Sequence, residues 1–306
     1  MSLEVIILGS AGSIPTKTRS LPAIMVRRKG ELILFDCGEG VQRQMMRTAI
    51  GFDKRMKVLI THMHGDHVLG LPGILQTMSL LGRKKTLEIY GPEGLGDFVE
   101  AIDKTVQFAL SFPLEVSEIK NEGVVCEERE YKICCAEASH STIAFAYSLE
   151  EKPRPGKFHP ERAKSLGIPK GELWSKLQNG SAITLGDNQL IRPDQVMDHP
   201  RAGRKIVYTG DSISSQPLIE LARYADLLIH DCTFDDKLTE RALEDGHSTP
   251  SQAARTAMEA KAKRLILTHI SARYKTPSLL LKQATKLFPN TIVAKDLTKI
   301  NLPLPK

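Results

Sequence analysis

The feature that most restricts this chain is a group of four metal-ligand side chains within six positions. Residues 62–67 read His-Met-His-Gly-Asp-His and are separated only by Thr61 from the apolar run Val58-Leu59-Ile60. A strand that ends in a tight turn can direct all four side chains into one cleft. Imidazole nitrogens and carboxylate oxygens are ligands that zinc and related divalent ions accept. Because no pair of cysteines accompanies the motif, it predicts a catalytic metal centre with open coordination positions.

Short β-rich runs alternate with segments of helical periodicity along the whole chain. This alternation is typical of an α/β protein. Strands are predicted over residues 3–8, 23–28, 32–35, 58–61, 87–90, 131–138, 143–148, 206–209, 227–230 and 265–268. Helices are predicted over residues 40–50, 70–81, 92–105 and 277–288.

Three further ligand-type residues closely follow predicted strands: His140, Asp211 and His269. Taken singly, each of them is an ordinary polar loop residue. In layered α/β proteins, however, the loops at strand ends are held rigidly by the sheet and are where sites are built. Four strand ends that all present ligand-type residues therefore indicate one shared metal site.

One segment, residues 151–178, departs from the α/β pattern. It contains four prolines and three glycines, and its seven Lys/Arg against three Glu give a net charge of +4 within a chain total of +6. With little apolar content before Leu173, it is predicted to be an inserted basic arm with too little apolar surface to form a core. A solvated basic linker is the alternative interpretation.

The composition excludes several classes of protein. The chain is 41% hydrophobic and 25% charged, as in ordinary soluble globular proteins. Its five cysteines are odd in number and scattered, and the adjacent Cys134 and Cys135 suit packing better than a disulfide or a zinc cluster. No apolar stretch is long enough to cross a bilayer, and the first residues lack a signal-peptide pattern. We therefore expect a cytoplasmic protein.

Three narrower motifs accompany the ligand residues. They are Gly246-His247-Ser248-Thr249, Pro15-Thr16-Lys17-Thr18-Arg19-Ser20 and the basic insertion at 151–178. With these motifs, the chain resembles the metallo-β-lactamase superfamily over nearly its full length and, within it, the short form of the ribonuclease Z family. It departs from that family at His230-Asp231-Cys232-Thr233, where His-Glu-Ala-Thr is usual, so that the carboxylate is one methylene shorter.

The resemblance implies a metallo-β-lactamase-like four-layer αββα sandwich. Residues 1–306 would form a single domain, with residues 151–178 as a protruding flexible arm that binds tRNA. It also implies two zinc ions per subunit. One ion would be held by His62, His64 and His140, the second by Asp66, His67 and His269, with Asp211 as the bridge.

The activity implied is a zinc-dependent endoribonuclease, acting as a homodimer, that removes the 3′ trailer from precursor tRNA. It would leave a 3′-hydroxyl on the tRNA and a 5′-phosphomonoester on the trailer. Asp66 would orient the attacking water and accept its proton, while His247 would be the general acid for the departing 3′-oxygen, with Asp231 as its partner. The residues that would bind RNA phosphates are Lys17, Arg19, Arg273, Arg154, Lys157 and Lys170.

Two other functions remain open from the residues alone. The first is a related hydrolase of small phosphodiesters, thioesters or sulfate esters, against which the basic Pro/Gly insertion argues, because a small substrate gains nothing from it. The second is a non-catalytic RNA- or metal-binding module, against which the complete ligand set argues.

Overall fold

A computed structural model describes residues 3–186 and 188–305. The strands, in chain order, are β1 (Leu3–Gly9), β2 (Ala11–Gly12), β3 (Ala23–Arg28), β4 (Glu31–Phe35), β5 (Met56–Leu59), β6 (Leu87–Gly91), β7 (Leu114–Glu118), β8 (Gly123–Glu127), β9 (Tyr131–Glu137), β10 (Phe145–Glu151), β11 (Ile183–Leu185), β12 (Gln189–Ile191), β13 (Lys205–Tyr208), β14 (Leu227–Asp231), β15 (Leu265–Thr268), β16 (Ile270–Ser271), β17 (Thr291–Val293) and β18 (Lys299–Asn301).

The helices connect and cover these strands. They are α1 (Val41–Arg47), α2 (Gly65–Val68), α3 (Gly70–Leu80), α4 (Leu95–Thr105), α5 (Pro160–Ser165), α6 (Glu172–Gln178), α7 (Gln216–Ala222), α8 (Thr239–Glu244), α9 (Pro250–Glu259) and α10 (Ser278–Thr285), with 3₁₀ turns at Pro193–Gln195 and Asp236–Leu238. Among the described residues, no helix combines the length and the apolar run that crossing a membrane would require.

Two seven-stranded sheets form the first of two compact units, which contains residues 1–150 and 205–303. The strand order is β18-β1-β3-β4-β5-β6-β7 in one sheet and β17-β15-β14-β13-β10-β9-β8 in the other. The pairs from β4 to β7 are parallel, as are those from β13 to β17. Parallel neighbours bring the carboxyl ends of their strands to one edge, so the loops that leave β5, β13, β14 and β15 are placed where a site can form.

Strand periodicity divides the apolar side chains of this unit among three interfaces. In β1, Val5 and Ile7 pack in one cluster with Tyr147 and Ile229 of the second sheet, whereas Ile6 faces α1, α3 and α4. In the second sheet, Val207, Leu228 and their outward neighbours pack against α7, α9 and α10. The layers therefore run helix, sheet, sheet, helix, which confirms the predicted αββα sandwich.

The second compact unit contains residues 151–204 together with the last residues from Leu304. We predicted that the insertion at 151–178 has no core of its own. This prediction is wrong, because the second unit has a small apolar core. The hairpin β11–β12 supplies apolar side chains that the shorter segment lacks, and these cover α5 and α6. The buried members of this small core are Ala163, Ile168, Leu177, Ile183, Ile191, Val196 and Met197.

A buried ion pair closes the second unit at its two ends. The Arg204 guanidinium Nε lies 2.7 Å from Glu151 Oε2, and the two side chains are only 1% and 5% exposed. Within the unit, the Trp174 indole N–H donates to the Ile168 carbonyl at 3.1 Å. The segment is therefore an ordered structure, and its role in binding tRNA stays a prediction.

Candidate metal centre

The motif at 62–67 occupies the turn that leaves β5. His62 lies three residues beyond the end of that strand, and His64 is the residue before the short helix α2. Asp66 and His67 lie in the first turn of α2, where Asp66 Oδ2 accepts the Ser13 N–H at 2.8 Å. The predicted strand and tight turn are thus present, with one helical turn setting the directions of the last two side chains.

His140, which follows β9, joins His62 and His64 in a first group of ligand-type residues. The ring centroids of the three imidazoles are 4.6 to 5.0 Å apart. His64 Nδ1 and His140 Nε2 approach to 3.2 Å. Three ring nitrogens that converge on one point form an arrangement suited to a cation.

A second group is formed by Asp66, His67, Asp211 and His269, all of them buried or half-buried. Asp211 follows β13, and its Oδ2 lies 3.3 Å from His67 Nε2 and 3.2 Å from His269 Nε2. The same oxygen is 3.8 Å from His62 Nε2. Asp211 therefore stands between the two groups, as its expected bridging role requires.

Buried atoms without partners indicate what this site is built to hold. Among the described residues, His62 Nε2, His67 Nε2 and Asp211 Oδ1 are buried and accept or donate no hydrogen bond. Unpaired buried polar atoms are costly, and cations bound at the two groups would satisfy them. The donor set of imidazole nitrogens and carboxylate oxygens fits zinc.

The two ligand groups differ in how readily their histidines give up a proton to a metal ion. Burial, together with the neighbouring His67, lowers the pKa of His62 to about 2, so its imidazole is neutral and can act as a ligand. Burial would lower the pKa of His67, but the carboxylates of Asp211 and Asp36 outweigh it and raise that pKa well above its usual value. A metal ion at His67 Nε2 would therefore compete with a proton.

Hydrogen bonds fix the tautomers of the ligand histidines. His140 Nδ1 must donate to the Gly246 carbonyl at 2.8 Å, which leaves Nε2 as the free acceptor. His67 Nδ1 donates to Asp36 Oδ2 at 2.7 Å, and His269 Nδ1 donates to the Thr233 hydroxyl at 2.7 Å. In each ring the nitrogen that faces the centre keeps its lone pair for a metal.

Sequence reasoning missed Asp36, a fully buried carboxylate that organises the centre from behind. Besides His67, it accepts the Thr61 N–H at 2.8 Å and the Tyr208 hydroxyl at 2.8 Å. Its backbone is left-handed, with φ of 57°, at the end of β4. A carboxylate directly after a buried apolar strand was the only signal in the sequence, and it resembles the signal that identified Asp211.

We predict that Asp36→Asn lowers the metal affinity of the protein by about 10- to 100-fold, because removing a partner that orients a ligand histidine has that order of effect. The Thr61 N–H and the Tyr208 hydroxyl donate to different oxygens of Asp36, so the single amide oxygen keeps only one of these bonds, and the charge that faces His67 is lost. Competition with a graded chelator, read by metal analysis, measures this. Unchanged affinity would show that Asp36 only packs the core.

His247 and Asp231 form a hydrogen-bonded pair beside the ligands. His247 Nδ1 donates to Asp231 Oδ2 at 2.9 Å, and the His247 ring stacks on His269 with 5.1 Å between centroids. Burial acts to lower the pKa of His247, but the Asp231 charge and hydrogen bond raise it to about 9. Aspartate, although shorter than the usual glutamate, thus reaches the histidine and keeps it protonated at neutral pH.

The loop that carries His247 is held on both sides. The His247 N–H donates to the Ala242 carbonyl at 2.7 Å, and the Ser248 hydroxyl donates to the Ser212 carbonyl at 2.6 Å. Helix α9 follows this loop, and a capping box between Thr249 and Gln252 stabilises its first turn. At Gly246, φ is 74° and an added Cβ would lie 2.6 Å from His140 Nδ1, so only glycine fits this close approach.

The six residues predicted to bind RNA lie in different surroundings. Lys17 and Arg273 are exposed, and the Arg273 guanidinium stands over the Phe234 ring at 4.8 Å. Arg19 is half-buried, and its NH1 donates to Ser10 Oγ at 2.6 Å and to the Ala294 carbonyl at 2.7 Å. In the second unit, Lys157 and Lys170 are exposed while Arg154 is half-buried. Their RNA contacts remain predictions.

Comparison with known proteins agrees with the fold. A family model described as beta-lactamase superfamily domain matches residues 196–270, and one described as Anti-Pycsar protein Apyc1 matches residues 3–106. The crystal structure of the Bacillus subtilis metallo-beta-lactamase fold protein YhfI superposes with a TM-score of 0.70 at 20% identity, covering 98% of this chain and 99% of that one. The αββα fold and its ligand-bearing loops define a protein of the metallo-β-lactamase superfamily.

Relatives with higher sequence identity show to which family within this superfamily the chain belongs. The chain is 45% identical over 302 residues to ribonuclease Z of Methanosarcina acetivorans, covering 98% of each chain, and 43% identical over 300 residues to that of Nitrosopumilus maritimus, covering 98% of this chain and all of the relative. Human tRNase Z, short form, superposes with a TM-score of 0.73 at 29% identity, covering 98% of this chain and 100% of the human one. The chain belongs to the ribonuclease Z family.

Proposed function

We propose that this protein is a metal-dependent endoribonuclease that removes the 3′ trailer from precursor tRNA. The observation that carries the proposal is the buried convergence of His62, His64 and His140 with Asp66, His67, Asp211 and His269, beside the His247–Asp231 pair. Membership in the ribonuclease Z family supplies the substrate class. The products would be a tRNA with a 3′-hydroxyl and a trailer with a 5′-phosphate.

The metal that fits this donor set is zinc, and we propose two ions per subunit. His62, His64 and His140 would hold one ion, while Asp66, His67 and His269 would hold the other, with an Asp211 oxygen available to each. Two such ions stabilise both the attacking and the leaving oxygen of an in-line phosphoryl displacement. Metal analysis of the purified protein should give two zinc ions per chain.

Proton transfer to the leaving group is the task of His247. Its Nδ1 is committed to Asp231, so Nε2 is the nitrogen that can donate to the departing ribose 3′-oxygen. The Asp231 Oδ1 also accepts the Thr233 hydroxyl at 2.7 Å, so one carboxylate orients His247 directly and His269 through Thr233. Asp231 thereby fixes the position of the proposed acid, His247, relative to the proposed metal ligand His269.

Proton removal from the attacking water is the task of Asp66. Burial acts to raise the pKa of this carboxyl, but His269 and His67 lower it below its usual range, so it is ionised. The Ser13 N–H donates to Oδ2, which also lies 3.3 Å from His269 Nε2, so Oδ1 is left to orient a water. Ser13 itself has a left-handed backbone with φ of 56°, which turns its N–H toward Asp66.

The direct test is incubation of the zinc-loaded protein with a 3′-extended precursor tRNA, followed by mapping of both new ends. A single cut at the junction with the trailer, leaving a 3′-hydroxyl, is the expected result. A protein that hydrolyses only small phosphodiesters, thioesters or sulfate esters and leaves the precursor intact would support the small-substrate alternative instead.

The basic second unit is proposed to hold the body of the tRNA. Lys157, Lys164 and Lys170 are exposed, and none of them forms an ion pair with a described residue. We predict that replacing all three with alanine raises KM for precursor tRNA by at least about tenfold and flattens its salt dependence by up to about 0.9 log–log units for each phosphate that is no longer bound. The kcat of small-phosphodiester hydrolysis should not change, because no ligand residue lies in this unit.

A matched control removes three exposed lysines from the first unit. These are Lys84, Lys120 and Lys286. The control carries the same change in net charge, so a smaller effect on KM would assign the loss to the second unit. Equal effects from both variants would mean that only the overall charge attracts RNA, and the second unit would then not be the tRNA-binding segment.

A homodimer is the proposed assembly. Helices α1 and α3 pack so closely that a Cβ added at Gly73 of α3 would lie only 2.5 Å from Gln42 Nε2 of α1. Met46 on α1 is 53% exposed, Leu80 on α3 is 82% exposed and Leu81, just after α3, is 59% exposed, and we propose that a second subunit covers these apolar side chains. Light scattering of a variant with glutamate at residues 80 and 81 should give half the mass of the unmodified protein.

A further inference from the structure

A basic cleft lies between residues 18–19, the start of α10 and residues 292–295, and none of the proposed metal ligands lines it. Its rim carries the cations of Arg19, Lys275 and Lys295, and its floor is formed by Leu281, Ile292 and Val293. Its volume is about 540 Å³. We call it the lysine cleft. Pockets of this size hold small organic groups such as one or two nucleotides.

The charges of the lysine cleft are available to a ligand. Lys275 and Lys295 are exposed, and neither forms an ion pair with a described residue. No carboxylate is among the described residues that line the cleft. The nearby Asp296 is already engaged, since its oxygens accept the Ser10 hydroxyl and the Ser20 N–H at 2.7 Å each. A concave site with cations alone on its rim selects an anion.

Arg19 is positioned before any ligand arrives. Its NH1 is held by Ser10 Oγ and the Ala294 carbonyl, so the guanidinium has lost most of its freedom, while NH2 and Nε make no hydrogen bond to a described residue. Pre-ordered guanidinium groups are suited to phosphate, because their planar N–H donors match its oxygens. The first turn of α10, which has no side-chain cap, also lies at the cleft and adds uncommitted N–H groups.

The cleft is linked to the metal ligands through backbone. The Ile270 N–H, next to His269, donates to the Ser10 carbonyl at 2.9 Å, and Ser10 also holds Arg19. Along the chain, Lys275 lies six residues after His269, which limits their separation to about 21 Å. A few nucleotides of single-stranded RNA can span that distance, since stacked bases are spaced at about 3.4 Å.

We propose that the lysine cleft binds the trailer, the single-stranded RNA on the 3′ side of the cut, by one or two of its phosphates and a base. The cations bind phosphate, and the aliphatic floor receives the face of a base, which a duplex would keep stacked inside. The second unit is proposed to hold the tRNA body, which leaves the trailer without a binding site. We therefore propose the trailer as the occupant of the cleft. This inference rests on the proposed function.

The test compares precursors that differ only in trailer length. Lys275→Ala combined with Lys295→Ala should raise KM by about tenfold for a precursor with a six-nucleotide trailer and by less than about twofold for a one-nucleotide trailer. The kcat should stay within about twofold. A direct measurement uses a fluorescent six-nucleotide RNA with a 5′-phosphate, whose affinity for the zinc-loaded protein should fall by the same factor.

The control variant replaces Lys282 and Lys286, two exposed lysines on and just after α10 that do not line the cleft. If it weakens oligonucleotide binding as much as the cleft variant does, the cleft is not a specific site. A KM defect of equal size for both trailer lengths would place the tRNA end, and not the trailer, in the cleft and overturn the proposal. If the protein never cuts precursor tRNA yet binds the oligonucleotide through Lys275 and Lys295, the proposed function fails while the RNA site stands.

Discussion

Replacing Asp211 with alanine should reduce turnover of every phosphodiester by about 10³-fold or more, because stabilisation of several kcal/mol is lost with the shared ligand. The Asp211 carboxylate lies 3.3 Å from His67 Nε2, 3.2 Å from His269 Nε2 and 3.8 Å from His62 Nε2. The same variant should hold fewer than two zinc ions, measured by metal analysis alongside the kinetics.

Asp211→Asn is the matched comparison, because the amide keeps the shape and removes the charge. We expect it to fall close to alanine in activity, since three buried imidazoles would face a neutral group. Circular dichroism of both variants checks that the αββα fold is intact. A folded Asp211→Ala protein that keeps substantial activity with one metal would falsify the two-metal mechanism.

Sequence patterns predicted ten of the eighteen described strands and placed ligand-type residues after several of them, while the αββα sandwich and the ligand set were implied by the resemblance. Strands such as 265–268 are short apolar runs bounded by polar turns, and the observed bounds of the predicted strands agree to within two residues, except that β10 ends three residues later than predicted. Ligand residues at strand ends are adjacent to those runs, so local sequence places them. Proximity of His140, Asp211 and His269 to the motif at 62–67 required the resemblance as well, because those residues are far apart along the chain.

Long-range hydrogen bonds account for what the sequence did not reveal. Arg19 was expected to bind phosphate only, yet its NH1 is held by the Ala294 carbonyl, 275 residues away. Asp36 was missed for the same reason, since its partners come from two distant segments, Thr61 and His67 from the turn after β5 and Tyr208 from the end of β13. The core of the second unit was missed because its apolar side chains come partly from β11 and β12, beyond the basic segment that defined the insertion.

The effect of replacing His247 should depend on whether the leaving group of the substrate needs a proton. His247→Ala should reduce cleavage of precursor tRNA by about 10²- to 10⁴-fold, the usual contribution of a general acid. The same variant should hydrolyse bis-(p-nitrophenyl) phosphate at nearly the normal rate, because nitrophenolate departs without a proton whereas a ribose 3′-oxygen needs one. Equal losses on both substrates would show that His247 is not the general acid. Its role would then be to support His269, on which its ring stacks.

Asp231→Asn tests the same proton transfer through its pH dependence. The Asp231 charge outweighs burial and raises the pKa of His247 to about 9, and a general acid is active only below its pKa. Removing the charge lowers that pKa, so the falling limb of the kcat profile on precursor tRNA should move to lower pH. The limb should be absent with bis-(p-nitrophenyl) phosphate, where no acid is needed. An unchanged limb on tRNA would mean that another group titrates, and that Asp231 serves mainly to accept the Thr233 hydroxyl and the Ser248 N–H.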